Sequence, residues 1–291
     1  MSAWRRHLTF LAFAGPALFI FSVMMLWPLV NMFRVSTLNW RGIVKPQTFT
    51  GLDNYARLLS DPVLSVALKN TVIHIAVALP GVLLPAFMLG FFLSLRPPGH
   101  RFLRPLYFTP VLMAAPAQAM LFLGLYLPDG IINQALRSVN LDALTRVWLG
   151  DTSTALGAII AMDLWSGIGF YAVLFYTVLS NVPGELYESA EIDGARYGTV
   201  MWRIAFPVTL DFFGVAAMLH FLYLLLTSAQ HVLLLTQGGP GNASMTLSYY
   251  LYHQAFNVRN LGYSQALGVV IFFVGLLGML VIRRATHGRF R

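Results

Sequence analysis

"ELYESAEIDGARYGTVMWRIAFP", residues 185–207, carries four carboxylates, Glu185, Glu188, Glu191 and Asp193, within nine positions. The chain on either side of it is oily. Of all 291 residues 57% are hydrophobic and only 10% are charged, and mean hydropathy is +0.69. A soluble domain carries about 25% charged residues, so this chain cannot coat a water-facing surface and its solvent is mostly lipid. The acidic stretch is the exception, a polar elbow between membrane segments.

Outward from the elbow, six apolar stretches are long enough to cross a bilayer as helices, near 8–33, 66–95, 104–127, 154–180, 209–235 and 263–282. Prolines 16, 28, 80, 85, 110 and 116 fall inside them, which suits a bundle whose neighbours satisfy the freed carbonyls. The expected architecture is all-α and polytopic, one transmembrane domain over 1–291. Arg5 and Arg6 ahead of "LTFLAFAGPALFIF" resemble the start of a cleaved signal, but the apolar run continues through "SVMMLWPLV", and an uncleaved first span is expected.

Arginines 5, 6, 96, 101, 104, 283, 284, 289 and 291 would share one side, which the positive-inside rule makes cytoplasmic. Arg34, Arg41, Lys45, Arg57 and Lys69, in or beside the first outer loop, weaken that contrast. Both termini and the loop 182–208 then face the cytoplasm, and 36–64, 128–152 and 236–262 face outward. The net charge of +8 is scattered in ones and twos without an aromatic platform, which argues against nucleic acid and for lipid headgroups. With no cysteine, disulfides, thiolate metal sites and cysteine nucleophiles are excluded.

Read as helix, the elbow starts at Pro183, with Asn181 a candidate cap, and stops at Gly198. A second short piece, "TVMWRIAF", leads to Pro207. A plain connector is one reading. A membrane-surface helix would be basic rather than acidic. Small residues among carboxylates suit docking into a groove on another protein.

Glu188-Ser189-Ala190-x-x-Asp193-Gly194-Ala195, followed by Ile204 and Pro207, resembles the E-A-A-x-x-D-G-A loop, completed by I-x-L-P, of binding-protein-dependent ABC importer permeases. "FTGLDNYARLLSDPVLSVALKNT" (49–71), "LTQGGPGNASMTLSYYLYHQAF" (235–256) and "FAGPALFIFSVMMLWPLV" in the first span resemble the carbohydrate branch, of maltose and glycerol-3-phosphate type. The resemblance implies a type I importer permease in a bacterial or archaeal cytoplasmic (inner) membrane, moving a sugar or sugar derivative. It also implies that Glu188, Ser189, Ala190, Asp193, Gly194, Ala195, Ile204 and Pro207 couple the chain to a separate ATPase.

Its implied partners are a second homologous permease, two ATP-binding subunits and an extracytoplasmic solute-binding protein. The chain has no G-x-x-x-x-G-K-[ST], so ATP and Mg²⁺ belong to the partner, no cofactor is expected here and the chain is not itself an enzyme. Three positions depart from the pattern: Ser189 replaces an Ala, Phe206 a Leu, and Asp211 stands where many members have a second proline. Asp211 reads as a cap on span five.

Asp163, in "AMDLWSGIGFY" (161–171), lies inside span four, and an intramembrane carboxylate is by default a functional-site candidate. It either accepts from sugar hydroxyls beside a stacking Trp165, or binds a neighbouring helix through His74, His220 or Arg34. Gln118, Gln230 and His220 can line a path or link helices. No two histidines stand at close helical spacing with a carboxylate, so no metal site is expected. Gly238, Gly239 and Pro240, in "TQGGPG" (236–241), read as a flexible outer turn or gate facing the binding protein. The rival from another class is a self-sufficient secondary carrier or channel with a coupling-ion site; within the transporter class the nearest alternative is an importer of a non-sugar solute.

Overall fold

The computed structural model describes residues 3–42 and 46–286, with the side chains of 3–11 and of Arg104 left aside. Lys45 and the arginines at 289 and 291 lie outside the described residues. Fourteen α-helical segments are described, and six stretches are long and apolar enough to cross a membrane: Ala12–Ser36, Pro62–Ser94, Ala115–Ser138, Ala155–Leu179, Leu210–Leu235 and Leu261–Thr286. The chain packs as two compact units, Met1–Asp61 with Leu251–Phe273, and Pro62–Tyr250 with Val274–Arg291.

In the first unit, α1 (Ala3–Phe21) runs through a π-turn at Ser22–Leu26 into α2 (Trp27–Ser36). A hairpin pairs Leu38 with Phe49 and Asn39 with Thr48, and leads to α3 (Asp53–Leu59). The buried Asn54 ties these pieces together: its Nδ2 donates to Ser36 O and Leu38 O, both at 2.9 Å. Tyr263 Oη donates to Asp61 Oδ2, and the Arg57 guanidinium lies 5.1 Å from the Tyr263 ring. Polar residues of the 49–71 stretch thus serve as fasteners.

The second unit is built on α4 (Pro62–Ser94), whose 33 residues span about 50 Å, more than the roughly 30 Å of a hydrocarbon core. Its buried stripe of Ala78, Val82, Leu83, Ala86 and Phe87 packs on α8 (Ala155–Leu179) and α12 (Leu210–Leu235). Between α4 and α8 the third span is broken, not continuous as the sequence suggests. α5 (His100–Leu112) and α6 (Ala115–Tyr126) meet at Met113, whose ψ of 133° is extended. Ala114, at ψ 144°, is extended too, and Pro116 falls in the first turn of α6, where its missing N–H costs no intrahelical bond.

Small residues set the close approaches, as membrane bundles require. At Gly169 of α8 an added Cβ would lie 1.7 Å from Tyr107 O of α5. Gly169→Ala is therefore expected to force these helices apart and cost several kcal/mol, at or beyond the usual overpacking range of about 1–3 kcal/mol. Gly157→Ala on the same helix, with open space around the new methyl, is expected to be near neutral; thermal melts in detergent compare the two.

The turn at Gly238, Gly239 and Pro240, expected to be flexible, is firmly held. After α7 (Ile131–Ser138) and α8, the segment following α12 is pinned rather than loose. Ser244 Oγ donates to Gly239 O at 2.7 Å and contacts Thr236 Oγ1 at 2.7 Å. Asn70 Nδ2, near the start of α4, donates to Ala243 O and Met245 O at 3.0 Å each. Gly238 is buried, and Gly239 and Pro240, joined by a cis peptide, are half-buried.

At the other end of α4 the elbow is a stack of short pieces. α9 (Gly184–Ile192), α10 (Tyr197–Val200), a π-turn at Met201–Ala205 and α11 (Phe206–Val208) lead into α12. α13 (Leu247–Tyr252) and α14 (Leu261–Thr286) complete the chain.

Candidate functional site: an acidic elbow and a polar cavity

α9 stops at Gly194, four residues before the stop expected at Gly198. Gly194 takes φ +72°, a conformation only glycine adopts cheaply. Ala195 N donates to Ala190 O and Gly194 N to Glu191 O, the paired bonds of a Schellman cap. The N-cap position is held by Pro183, and Asn181, the candidate cap, instead donates to Thr177 O at 2.8 Å.

The departures from the loop pattern now have physical accounts. Ser189 Oγ donates to Glu185 O at 2.7 Å, so the hydroxyl is satisfied on its own helix and a serine stands in for alanine. Phe206 joins an aromatic cluster, with ring centroids 5.4 Å from Phe87, 5.5 Å from Trp202 and 5.3 Å from Phe213. Asp211 occupies the first turn of α12 while Thr209 holds the cap position; there a carboxylate meets the positive end of the helix dipole.

Glu188 and Asp193 are exposed, Ala190 is buried, and Ile192 stands 86% exposed. Behind them Ala205 is fully buried, and Ile204 and Pro207 are half-buried. The elbow therefore pairs a free acidic and apolar rim with a base bolted to α4, α8 and α12 by Phe87, Phe175, Phe206 and Phe213.

Deep in the second unit Asp163 binds two helices at once. His74 Nε2 of α4 donates to Asp163 Oδ2 at 2.6 Å, and His231 Nδ1 of α12 donates to Oδ1. The carboxylate faces each imidazole, so the nitrogen pointing at it carries the proton. All three residues are at most 2% exposed. The helix-linking reading of Asp163 thus describes its contacts, with His74 as anticipated and His231 in place of His220. His231 was missed, although it stands eleven residues, three helical turns, after His220 and so on the same face.

Beside this cluster lies a cavity of about 340 Å³ lined by Gln118, Ser166, Phe170, Tyr171, His220, Tyr223 and His231 with the aliphatic side chains of α5 and α6. Of the four path candidates, Gln118 and His220 line it. Asp163 is shut behind His231, and Trp165 turns to Phe122, 5.4 Å between ring centroids. Gln230 is exposed and outside the lining.

Gln118 also closes the break in span three, its Nε2 donating to Pro110 O (2.7 Å) and Met113 O (3.2 Å). Gln118→Leu is expected to cost about 1–3 kcal/mol through the carbonyls it strands, read as a lower melting temperature. His220 is buried with the Ala78 backbone facing its ring, neither ring nitrogen closes a hydrogen bond of full geometry among the described residues, and the ring packs on Tyr171 (4.9 Å) and Tyr223 (6.1 Å). Among those residues no group of three or more His, Cys, Asp or Glu side chains is placed to hold a metal ion.

Six helices long and apolar enough to cross a membrane, a polar cavity lined from α5, α6, α8 and α12, and an exposed acidic elbow are features of a subunit of a membrane translocation pathway. The chain belongs to the binding-protein-dependent transport system inner membrane component family, which it matches over residues 81–289; it is a multi-pass inner-membrane transport permease. It is 34% identical to the probable ABC transporter permease protein YurN of Bacillus subtilis (strain 168), over 91% of each chain. It is 32% identical to the diacetylchitobiose uptake system permease protein NgcF of Streptomyces coelicolor, over 98% of this chain and 86% of that one. A chain of a bacterial ABC transporter involved in the import of the acidic polysaccharide alginate shares the fold, with TM-score 0.85 and 18% identity over 99% of this chain and 98% of that one.

Proposed function

We propose that this chain is the permease of an ATP-driven importer of an uncharged sugar or sugar derivative, coupled to a separate cytoplasmic ATPase through residues 185–207. The observation that carries the reading is the elbow itself: a Schellman-capped acidic helix whose rim is free while its base is packed into three spans. Such a part transmits a push from outside into the bundle. The side bearing it is cytoplasmic in this reading, as are both termini. ATP and Mg²⁺ stay with two ATPase copies, a second permease completes the pathway, and a solute-binding protein delivers substrate to the opposite end, near Gly238, Gly239 and Pro240.

Relatives named for diacetylchitobiose and lactose support the sugar class. So does the cavity, whose lining offers amide, hydroxyl, imidazole and aromatic groups and, among the described residues, no carboxylate, lysine or arginine. Gln118 and His220 are the side chains proposed to meet hydroxyls, with Asp163 orienting His231 behind them. A proton-coupled carrier is the second reading, favoured by the buried Asp163–His74–His231 cluster.

Reconstitution with the ATPase and binding protein separates the two. Uptake is expected to follow ATP hydrolysis with the membrane made proton-permeable; uptake that collapses with the proton gradient and ignores ATP would sink the proposal. In the same assay His220→Leu, which keeps an apolar ring-sized group, is expected to lower uptake at least tenfold while the protein melts within a few degrees of the parent. That pattern is what leaving a buried hydroxyl of the substrate without its partner, at about 1–3 kcal/mol, predicts.

A further inference from the structure

Three side chains of the 340 Å³ cavity, one each from α6, α8 and α12, have their hydrogens committed to the protein. His231 of α12 donates from Nδ1 to Asp163 Oδ1, and a neutral imidazole with its proton there keeps a bare lone pair on Nε2. Gln118 of α6 donates both amide hydrogens, to Pro110 O at 2.7 Å and Met113 O at 3.2 Å. Both partners are carbonyls, so the amide nitrogen must face them and Oε1 is left over. Ser166 of α8 donates its hydroxyl hydrogen to Asp163 O at 3.2 Å, which leaves Oγ with lone pairs only. His231 Nε2 and Gln118 Oε1 bond to nothing among the described residues, yet neither is sealed from solvent.

We infer that this cavity is a hydrogen-accepting sugar subsite: His231 Nε2, Gln118 Oε1 and Ser166 Oγ receive hydroxyl hydrogens of a neutral saccharide, and sugars bearing a carboxylate or phosphate are turned away. The inference rests on the importer reading above and names what its solute must present. His231 is the specificity-determining residue. Asp163 is a positioning residue, because its bond to Nδ1 decides which nitrogen of His231 meets the solute.

Charge separates the ligand classes. A cation would find no counter-charge, since the described lining holds no carboxylate and Asp163 lies behind His231. An anion would find no lysine or arginine there and would meet three lone pairs; a buried charge without a partner is costly. A neutral polyol matches the set. Its hydroxyl hydrogens reach the fixed acceptors, and its oxygens take hydrogens from Tyr171 and Tyr223, whose hydroxyls turn either way. Phe170 walls the apolar face of the ring, and an apolar lining with a few placed polar groups is the usual form of a small-molecule site. Groups already committed as acceptors discriminate strongly, because a solute lacking the matching hydrogen leaves them unpaired.

The test observes the permease directly, without a binding protein to filter the solutes. The permease–ATPase complex, with nitrogen-15 histidine, is titrated in lipid nanodiscs at neutral pH. The probes are lactose, diacetylchitobiose and lactobionate, the carboxylate-bearing oxidation product of lactose. His231, assigned with His231→Gln, is expected to carry its proton on Nδ1. Its bare Nε2 should shift with at least one of the two neutral sugars and not with lactobionate. Ser166→Ala should weaken that sugar about tenfold, the scale of one hydrogen bond left unmade, with an unchanged melting temperature. Asp163→Asn accepts from one imidazole only, so sugar affinity should follow the His231 signal: kept while Nδ1 holds the proton, lost when Nε2 does. A proton on Nε2 of the parent, an equal response to lactobionate, or sugar affinity that ignores the His231 tautomer overturns the acceptor assignment and leaves the importer standing. No response to either neutral sugar overturns the cavity as the sugar subsite. The importer reading falls separately, when ATP-driven uptake fails in the reconstituted complex.

Discussion

Asp163→Ala is expected to lower the stability of the permease by about 3–5 kcal/mol, the cost of leaving buried ionic partners uncompensated. Two imidazole N–H groups lose their acceptor at once, His74 on α4 and His231 on α12, and the tie between three spans opens. The measurement is the melting temperature in detergent together with the amount of protein retained in the membrane. Uptake should fail because the bundle fails. Asp163→Asn, which can accept from one imidazole, should recover part of the loss. Normal stability with abolished uptake would move Asp163 from holding the bundle to meeting the solute.

Gly194→Val is expected to abolish ATP-driven uptake, more than a hundredfold, with the protein still folded in the membrane. A residue with a Cβ at φ +72° costs about 1–2 kcal/mol in the left-handed region, and a β-branched one is worse placed there. The space around Gly194 is open, so the side chain meets nothing inside the permease. What changes is the cap that ends α9 and the rim offered to a partner. Stimulated ATP hydrolysis in the reconstituted complex is the readout, with membrane retention as the control. Near-normal hydrolysis would show that the cap is dispensable and that coupling runs elsewhere.

Much of the fold was legible because lipid imposes a coarse rule. A backbone without water must bond to itself, so length and hydropathy mark the spans, and five of the six expected stretches match helices to within a few residues. Span three defeated that rule because Gln118 pays for the exposed carbonyls of its break, a contact made by a side chain eight residues after Pro110. The early stop of α9 was readable in principle: Asp193-Gly194 carries its own αL signal, which Gly198 obscured. His231 was readable too, from its phase with His220. The pinning of the 236–246 segment was not, since the Asn70 bonds that hold it join residues more than 170 positions apart.

Solvent, spans, the acidic elbow and its family mark follow from the residues alone, because they depend on composition and on short-range spacing. Which polar groups face one another is set by the packing of the helices. Packing closed Asp163 between His74 and His231, turned His220 to a polar cavity, and set Tyr187, Tyr197 and Glu191 around a smaller cavity beneath the elbow. The reason is that a buried polar atom must find its partner through space, and which helix supplies it depends on packing between residues far apart in the chain.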